Sequence, residues 1–253
     1  MQIAVITGAS SGLGKEFVLQ INRKYHPDGI WAIARREDRL VALQNLCPNV
    51  RIFPLDLQDG KTFTHLQETL KKTQPEIRWL VNAAGFAKIG SFADLSWEDE
   101  QAMIEVNCKA PVQLIQLALP YMQKKARIIN ICSAAAFQPL PYLNVYAATK
   151  SFLLRYSRAL RWELFPKGIG VTAVCPDWVK TEFLQISHAS PGGNAVRHHL
   201  FPASPSRVVA QALIASNLNL PVSAYGFASI HRLCAKFIPH EIIIAFWELF
   251  RRI

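Results

Sequence analysis

The sequence predicts an α/β fold, a doubly wound parallel sheet built as a single domain. Three observations carry this. Short apolar runs alternate with amphipathic helical stretches from Ile3 to Cys175. The first apolar run ends in a glycine-rich turn that opens a helix. The residues with chemical potential fall at the ends of the apolar runs or on the helix that follows, where parallel sheets bind their ligands.

Ile3 to Ile6 reads as a buried strand ended by Thr7 and Gly8. The turn Gly8-Ala9-Ser10-Ser11-Gly12-Leu13-Gly14 follows, then a helix from Lys15 to Ile21. Glycines there allow a phosphate close to the backbone, and the helix start offers free N–H groups and a positive dipole end. Ile30 to Ala34 is the second strand, with Arg35-Arg36 at its end and a helix from Arg39 to Leu46. Val50 to Leu55 is the third strand, ending in Asp56 and Leu57, and Lys61 to Lys72 is helical. Trp79 to Val81 is a strand that ends in Asn82-Ala83-Ala84-Gly85. Ser96 caps a helix running through Asn107, which Pro111 kinks or restarts. Arg127 to Cys132 is the fifth strand, and Ser133 stands at its end. A helix bearing Tyr146 and Lys150 runs to about Phe165, and Val171 to Cys175 is the sixth strand.

After Cys175 the rhythm stops. Pro176 to Pro205 carries prolines and Gly192-Gly193 without clear periodicity, as a lid, a binding loop or disorder does. Ser204-Pro205-Ser206 then caps a helix to about Ser216, and Pro221 to Tyr225 is a candidate last strand. With no linker and no repeat, residues 1–226 are expected to form one domain with a substrate loop at about 177–203. Residues 227–253 mix apolar residues with Arg232, Lys236, Arg251 and Arg252, the composition of an amphipathic helix pair. Its partner is left open between its own domain, a second subunit and a membrane surface.

The bulk numbers agree. A chain of 253 residues, 51% of them hydrophobic, can bury a large core. A net charge of +10 points to nucleic acid, a membrane surface or an anionic ligand. The Lys and Arg are scattered and not interleaved with aromatics, which argues against nucleic acid. The five cysteines form no CxxC pair and read as small buried hydrophobes in a reducing compartment. The seven histidines show no metal-ligand spacing, so no metal is expected, and the adjacent His198-His199 read as loop residues. The chain opens directly on a strand and has no apolar run long enough to span a bilayer. A cytoplasmic protein is expected, with peripheral membrane association left open.

Tyr146 and Lys150 stand four apart on a helix and share a face. A free phenol ionises near pH 10, and a neighbouring ammonium favours its phenolate. Such a pair can act as a general acid–base, with the Ser133 hydroxyl holding the oxygen that the tyrosine protonates.

Together, Thr7-Gly8-x-x-x-Gly12-x-Gly14, Asp56, Asn82-Ala83-Ala84-Gly85, Asn107, Ser133, Tyr146-x-x-x-Lys150 and Pro176 with Thr181 resemble the short-chain dehydrogenase/reductase family over residues 1 to 226. The resemblance implies a Rossmann-like fold and a nicotinamide dinucleotide. Gly8, Ser10, Ser11, Gly12, Leu13 and Gly14 would carry its pyrophosphate. Asp56 and Leu57 would meet the adenine, and Asn82, Ala83, Ala84 and Gly85 the adenosine side. Tyr146 would exchange the proton, Lys150 would lower its pKa and bind the nicotinamide ribose, and Ser133 would position the substrate. Asn107 would hold a water in a proton relay, and Pro176, Val179 and Thr181 would lie along the nicotinamide. The family usually has Pro-Gly where this chain has Pro176-Asp177. Either the backbone there is strained or Asp177 reaches the substrate.

Arg35 and Arg36 occupy the strand end where an acidic residue would select NAD, and guanidinium suits a phosphate. NADP(H) is the expected cofactor, with NAD(H) left open. Phe137, Leu140, Tyr142, Leu143, Trp178, Phe183 and Leu184 would roof the substrate pocket together with Asp177 and the loop up to Leu200. Their bulk favours a hydrophobic ketone or secondary alcohol, steroid- or lipid-like. Two rival readings are a cofactor-binding regulator without turnover and a peripheral membrane protein whose tail is the main function. Relatives usually form homodimers or homotetramers, and the resemblance implies the same here.

Overall fold

The computed structural model describes residues 1–196 and 202–251. Seven strands, β1 (Gln2–Thr7), β2 (Gly29–Ala34), β3 (Val50–Pro54), β4 (Glu76–Asn82), β5 (Arg127–Ile131), β6 (Gly170–Cys175) and β7 (Val222–Ala224), form one parallel sheet among the described residues. Their spatial order is β3-β2-β1-β4-β5-β6-β7. The central strands are apolar along their length because helices cover both faces. In β1, Ala4 and Ile6 face one helical layer, while Ile3 and Val5 face the other. The first layer holds α1 (Gly12–Tyr25), α2 (Glu37–Leu46) and α8 (Pro205–Asn217), through Phe17, Ile21, Leu40 and Leu213. The second holds α3 (Gly60–Thr73), α5 (Ala110–Ala118) and α6 (Asn144–Leu164), through Leu66, Leu114 and Leu160.

Several elements differ in detail from the sequence reading. Helix α2 begins at Glu37 rather than Arg39, with Glu37 and Asp38 in the first turn, where carboxylates meet the positive dipole end. Ser96 caps α4 (Trp97–Ile104) by accepting from the Asp99 N–H at 3.2 Å. The helix then passes through a π-helical turn, Glu105–Lys109, before α5 starts. Pro111 sits just after it in the first turn of α5, where its missing N–H leaves an upstream carbonyl of the continuous helix without an intrahelical donor. The break in pitch therefore belongs to the π-turn, and Asn107 sits on it.

Within the aperiodic segment lies a short helix, α7 (Glu182–His188), too brief for a period to be read from sequence. His198, His199 and Leu200 lie outside the described residues. The tail forms α9 (Phe227–Phe237) and α10 (His240–Phe250), and α10 docks on the loop before α6. The Trp247 indole N–H donates to the Pro141 carbonyl at 3.2 Å, and the Arg251 guanidinium lies 3.8 Å from the centre of the Tyr142 ring.

One buried polar chain ties the sheet to α6. Asn82 Nδ2 donates to Asn130 Oδ1, and Asn130 Nδ2 donates to Ser157 Oγ, both at 2.8 Å. Ser157 Oγ in turn donates to the Leu153 carbonyl at 2.6 Å. Replacing Asn130 strands the buried Asn82 amide N–H and leaves Ser157 only its bond to the Leu153 carbonyl. Asn130→Ala is expected to lose about 2–4 kcal/mol of unfolding free energy, read from urea denaturation with an unchanged m-value.

Candidate active site

The sheet order reverses between β1 and β4, and a crevice opens beyond the carboxyl ends of these strands. Its floor is the turn after β1. Gly8 and Gly12 have φ of +67° and +52°, conformations a side chain disfavours. A Cβ on Gly14 would fall 2.2 Å from the Gly8 carbonyl oxygen. The first turn of α1 has no acidic residue and its N-cap Ser11 makes no side-chain cap bond. This is a cradle for an anionic group at a helix N-terminus.

A cavity of about 1080 Å³ runs from this turn to the tail helices. Ser10, Ser11, Leu13, Arg35, Arg36, Asp56, Leu57, Ala83, Ala84 and Gly85 line the end nearest this turn. Ser133, Tyr146, Lys150, Pro176, Asp177, Trp178, Val179 and Thr181 stand around its middle, with Leu140, Leu143, Phe183 and Leu184 beyond. Thr181 crosses to the glycine turn, where a Cβ on Gly12 would meet its Cγ2 at 3.2 Å.

Four expected residues stand outside the lining. Asn82 is buried behind it in the chain with Asn130. Asn107 is wholly buried behind Gly85. Its Nδ2 donates to the Phe86 carbonyl at 3.0 Å and to Thr149 Oγ1 at 3.1 Å, and its Oδ1 accepts from the Phe86 N–H at 3.2 Å. Phe137 packs instead against His231 of α9, edge-on, with ring centres 5.9 Å apart. Tyr142, at φ +66°, turns its ring under Arg251. The last two therefore brace the tail and do not roof the cavity.

The electrostatics also depart from the simple ion-pair expectation. Lys150 is buried and its Nζ donates to the Ile131 carbonyl at 2.9 Å, standing 5.7 Å from the Tyr146 ring centre. Burial lowers its pKa, and the nearby thiols of Cys132, Cys108 and Cys175 act in the opposite direction. Burial dominates Tyr146 as well and pushes its phenol above the ordinary range. The Ser133 hydrogen bond pulls it back, while Cys132 and Cys175 push it further up. In the protein alone, desolvation outweighs the lowering that an ammonium one turn away was expected to give.

Asp177 is absent from the described positive-φ residues, so the left-handed strain that glycine would relieve does not arise. Its Oδ1 accepts from the Trp178 N–H at 2.9 Å. Burial raises its pKa, and the Trp178 bond and the charge of His231 oppose this. His231 lines the cavity too, as do Ile230, Ile243 and Trp247 of the tail. Sequence reasoning placed none of these at the site. Helical period revealed that the tail is amphipathic, but no local signal fixes which wall it completes.

The tyrosine shift has a signed consequence. A phenol whose folded pKa is raised stabilises the fold below the unfolded value near 10, and this stabilisation is lost as pH rises through the folded pKa. Ultraviolet difference titration of wild type against Tyr146→Phe is expected to show the missing tyrosine ionising above the ordinary range. Ionisation at or below about pH 10 would contradict it.

The short chain dehydrogenase family model matches residues 2–191. An 11-beta-hydroxysteroid dehydrogenase-like protein 4A of Arabidopsis thaliana is 32% identical over 189 residues, covering 71% of this chain and 61% of that protein. Among solved structures, a short-chain dehydrogenase from Sphingobium yanoikuyae in complex with NADPH superposes with a TM-score of 0.78 at 26% identity, covering 93% of each chain. The bulky-bulky ketone specific alcohol dehydrogenase from Comamonas testosteroni gives 0.72 at 26%, covering 88% of this chain and 86% of that one. Motif, fold and family match coincide over the same stretch, and the chain belongs to the short-chain dehydrogenase family.

Proposed function

We propose that this protein is an NADP(H)-dependent oxidoreductase interconverting a bulky hydrophobic ketone and its secondary alcohol. The observation that carries the reading is one continuous cavity that joins the glycine cradle, Ser133 with the buried Tyr146 and Lys150, and an apolar wall. Beyond Tyr146 the cavity wall is apolar, and Leu140, Leu143, Phe183 and Leu184 there offer no strong polar anchor. The likeness to an enzyme described as specific for bulky-bulky ketones, and to a hydroxysteroid dehydrogenase-like relative, supports the same class.

The cradle fits the cofactor. Gly8 and Gly14 let the turn fold tightly on backbone atoms, where a side chain would collide, and the start of α1 that this turn presents would hold the pyrophosphate. Arg35, with a side chain 68% exposed and only a 3.8 Å contact to Asp56, would meet a 2′-phosphate together with Arg36. The bound nicotinamide supplies or accepts the hydride. The protein's own groups move the proton. The Tyr146 phenol keeps its proton at neutral pH and lines the cavity beside Ser133, where it would pass that proton to a carbonyl oxygen. Ser133 would hold that oxygen, Lys150 would fix the ribose, and Asn107, locked by Phe86 and Thr149, would anchor a water behind Lys150.

NADPH oxidation followed at 340 nm across ketones of rising size tests this reading. Turnover is expected with bulky apolar ketones, with kcat/KM for NADPH above that for NADH. Tyr146→Phe is expected to lose about 10²–10⁴-fold in kcat while still binding NADPH. Activity confined to small polar carbonyls would discard the substrate class, and a preference for NADH would discard the cofactor.

The tail also supports peripheral contact with a membrane. Phe227, Ile230, Leu233 and Phe237 of α9 are each more than half exposed, with Arg232 and Lys236 on the same helix. No described helix is long and apolar enough to cross a bilayer, so the contact would be interfacial. Full-length protein is expected to float with anionic liposomes, and Leu233→Glu with Phe237→Glu to remain in the soluble fraction.

A further inference from the structure

Arg36 is the N-cap residue of α2, and its guanidinium is already engaged within the chain. Nη1 donates to Glu182 Oε2 at 2.8 Å. Nη2 donates to Ser11 Oγ at 2.8 Å and to Ser10 Oγ at 3.1 Å, and Nε reaches Ser10 Oγ at 3.3 Å. The other oxygen of Glu182 accepts from Arg39. The first residue of α7 therefore spans the groove and holds two arginines on its far bank. These arginine bonds keep the Glu182 carboxyl below its ordinary pKa, Arg39 contributing most, so it is charged at neutral pH.

We infer that Glu182 is a specificity-determining latch, whose carboxylate occupies the Arg36 guanidinium that a ribose 2′-phosphate would otherwise take. The inference rests on the cofactor reading above and goes beyond it by assigning a competitor within the chain. A phosphate monoester and a carboxylate cannot share one side of a guanidinium without like-charge repulsion. Both Arg36 and Glu182 side chains are about a third exposed, which keeps the pair weak enough for a phosphate to displace. Displacement also reaches the substrate end. The next residue on α7, Phe183, lies against Tyr146 with ring centres 5.7 Å apart. Losing the Arg36 bond leaves Glu182 tethered by Arg39 alone, so the segment that sets Phe183 against Tyr146 is held less tightly and a 2′-phosphate at one end of the cavity is felt at the other.

Dissociation constants of NADPH and NADH, read by quenching of tryptophan fluorescence in wild type and Glu182→Gln, test the latch. The variant is expected to bind NADPH about three- to tenfold more tightly, with NADH changed less than about twofold. Unchanged or weaker NADPH binding overturns the inference, since Glu182 would then be neutral or would orient Arg36 for the phosphate. Hydrogen exchange of residues 182–188 in wild type provides a test that needs no variant. Exchange is expected to be faster with NADPH bound than with NADH, and equal or slower exchange overturns the latch. The wild-type ratio of the two constants tests the cofactor reading separately. A chain that prefers NADH but gains NADPH affinity in Glu182→Gln keeps the latch and loses that reading.

Discussion

The close approach of the first turn to the end of β4 is the constraint on which the site depends. The Thr7 hydroxyl accepts from the Ala83 and Ala84 N–H groups, both at 3.1 Å. A Cβ on Gly8 would lie 2.8 Å from the Ala84 nitrogen, so the two chain segments meet backbone to backbone. The contact propagates. Gly85, next along, packs where a Cβ would sit 2.9 Å from Asn107 Oδ1 and 3.1 Å from Lys150 Nζ. Absent side chains thus set the positions of the buried amide and the buried ammonium. Bulk at these glycines would displace chemistry as well as a ligand.

Burial then decides the resting charge of the reacting groups. Removing Lys150 and Tyr146 from water favours the neutral form of each, lowering one pKa and raising the other. A single carbonyl from Ile131 compensates the ammonium. The Tyr146 phenol is therefore protonated at neutral pH, and the Ser133 hydrogen bond is the main force opposing the shift. Any positive charge arriving beside Tyr146 would push it back toward the phenolate.

How far the sequence revealed this follows from the range of each signal. The strands were legible because burial on two faces leaves unbroken apolar runs, as at Ile30 to Ala34 and Trp79 to Val81. The glycine turn and the Tyr146–Lys150 pair were legible because their meaning lies within a few residues. Helix α7 was not, being only two turns long and only partly apolar. Glu182 meets Arg36 across 146 residues of chain, a separation over which composition and period carry no information. Phe137 was expected at the substrate because it follows Ser133 closely, yet α9 supplies an aromatic partner for it in His231.

The tail shows the same limit from the other side. Its amphipathic period was evident, but the period alone cannot say that both faces have work to do. Residues such as Ile243 and Trp247 close the cavity, and α10 is fastened by the Trp247–Pro141 bond and by Arg251 over Tyr142. Phe227, Ile230 and Phe246 line the same cavity and are each more than half exposed. They form an apolar rim, continuous with the exposed face of α9. On this geometry the helix pair does two things at once: it builds one wall of the cavity and leaves an apolar rim at its mouth.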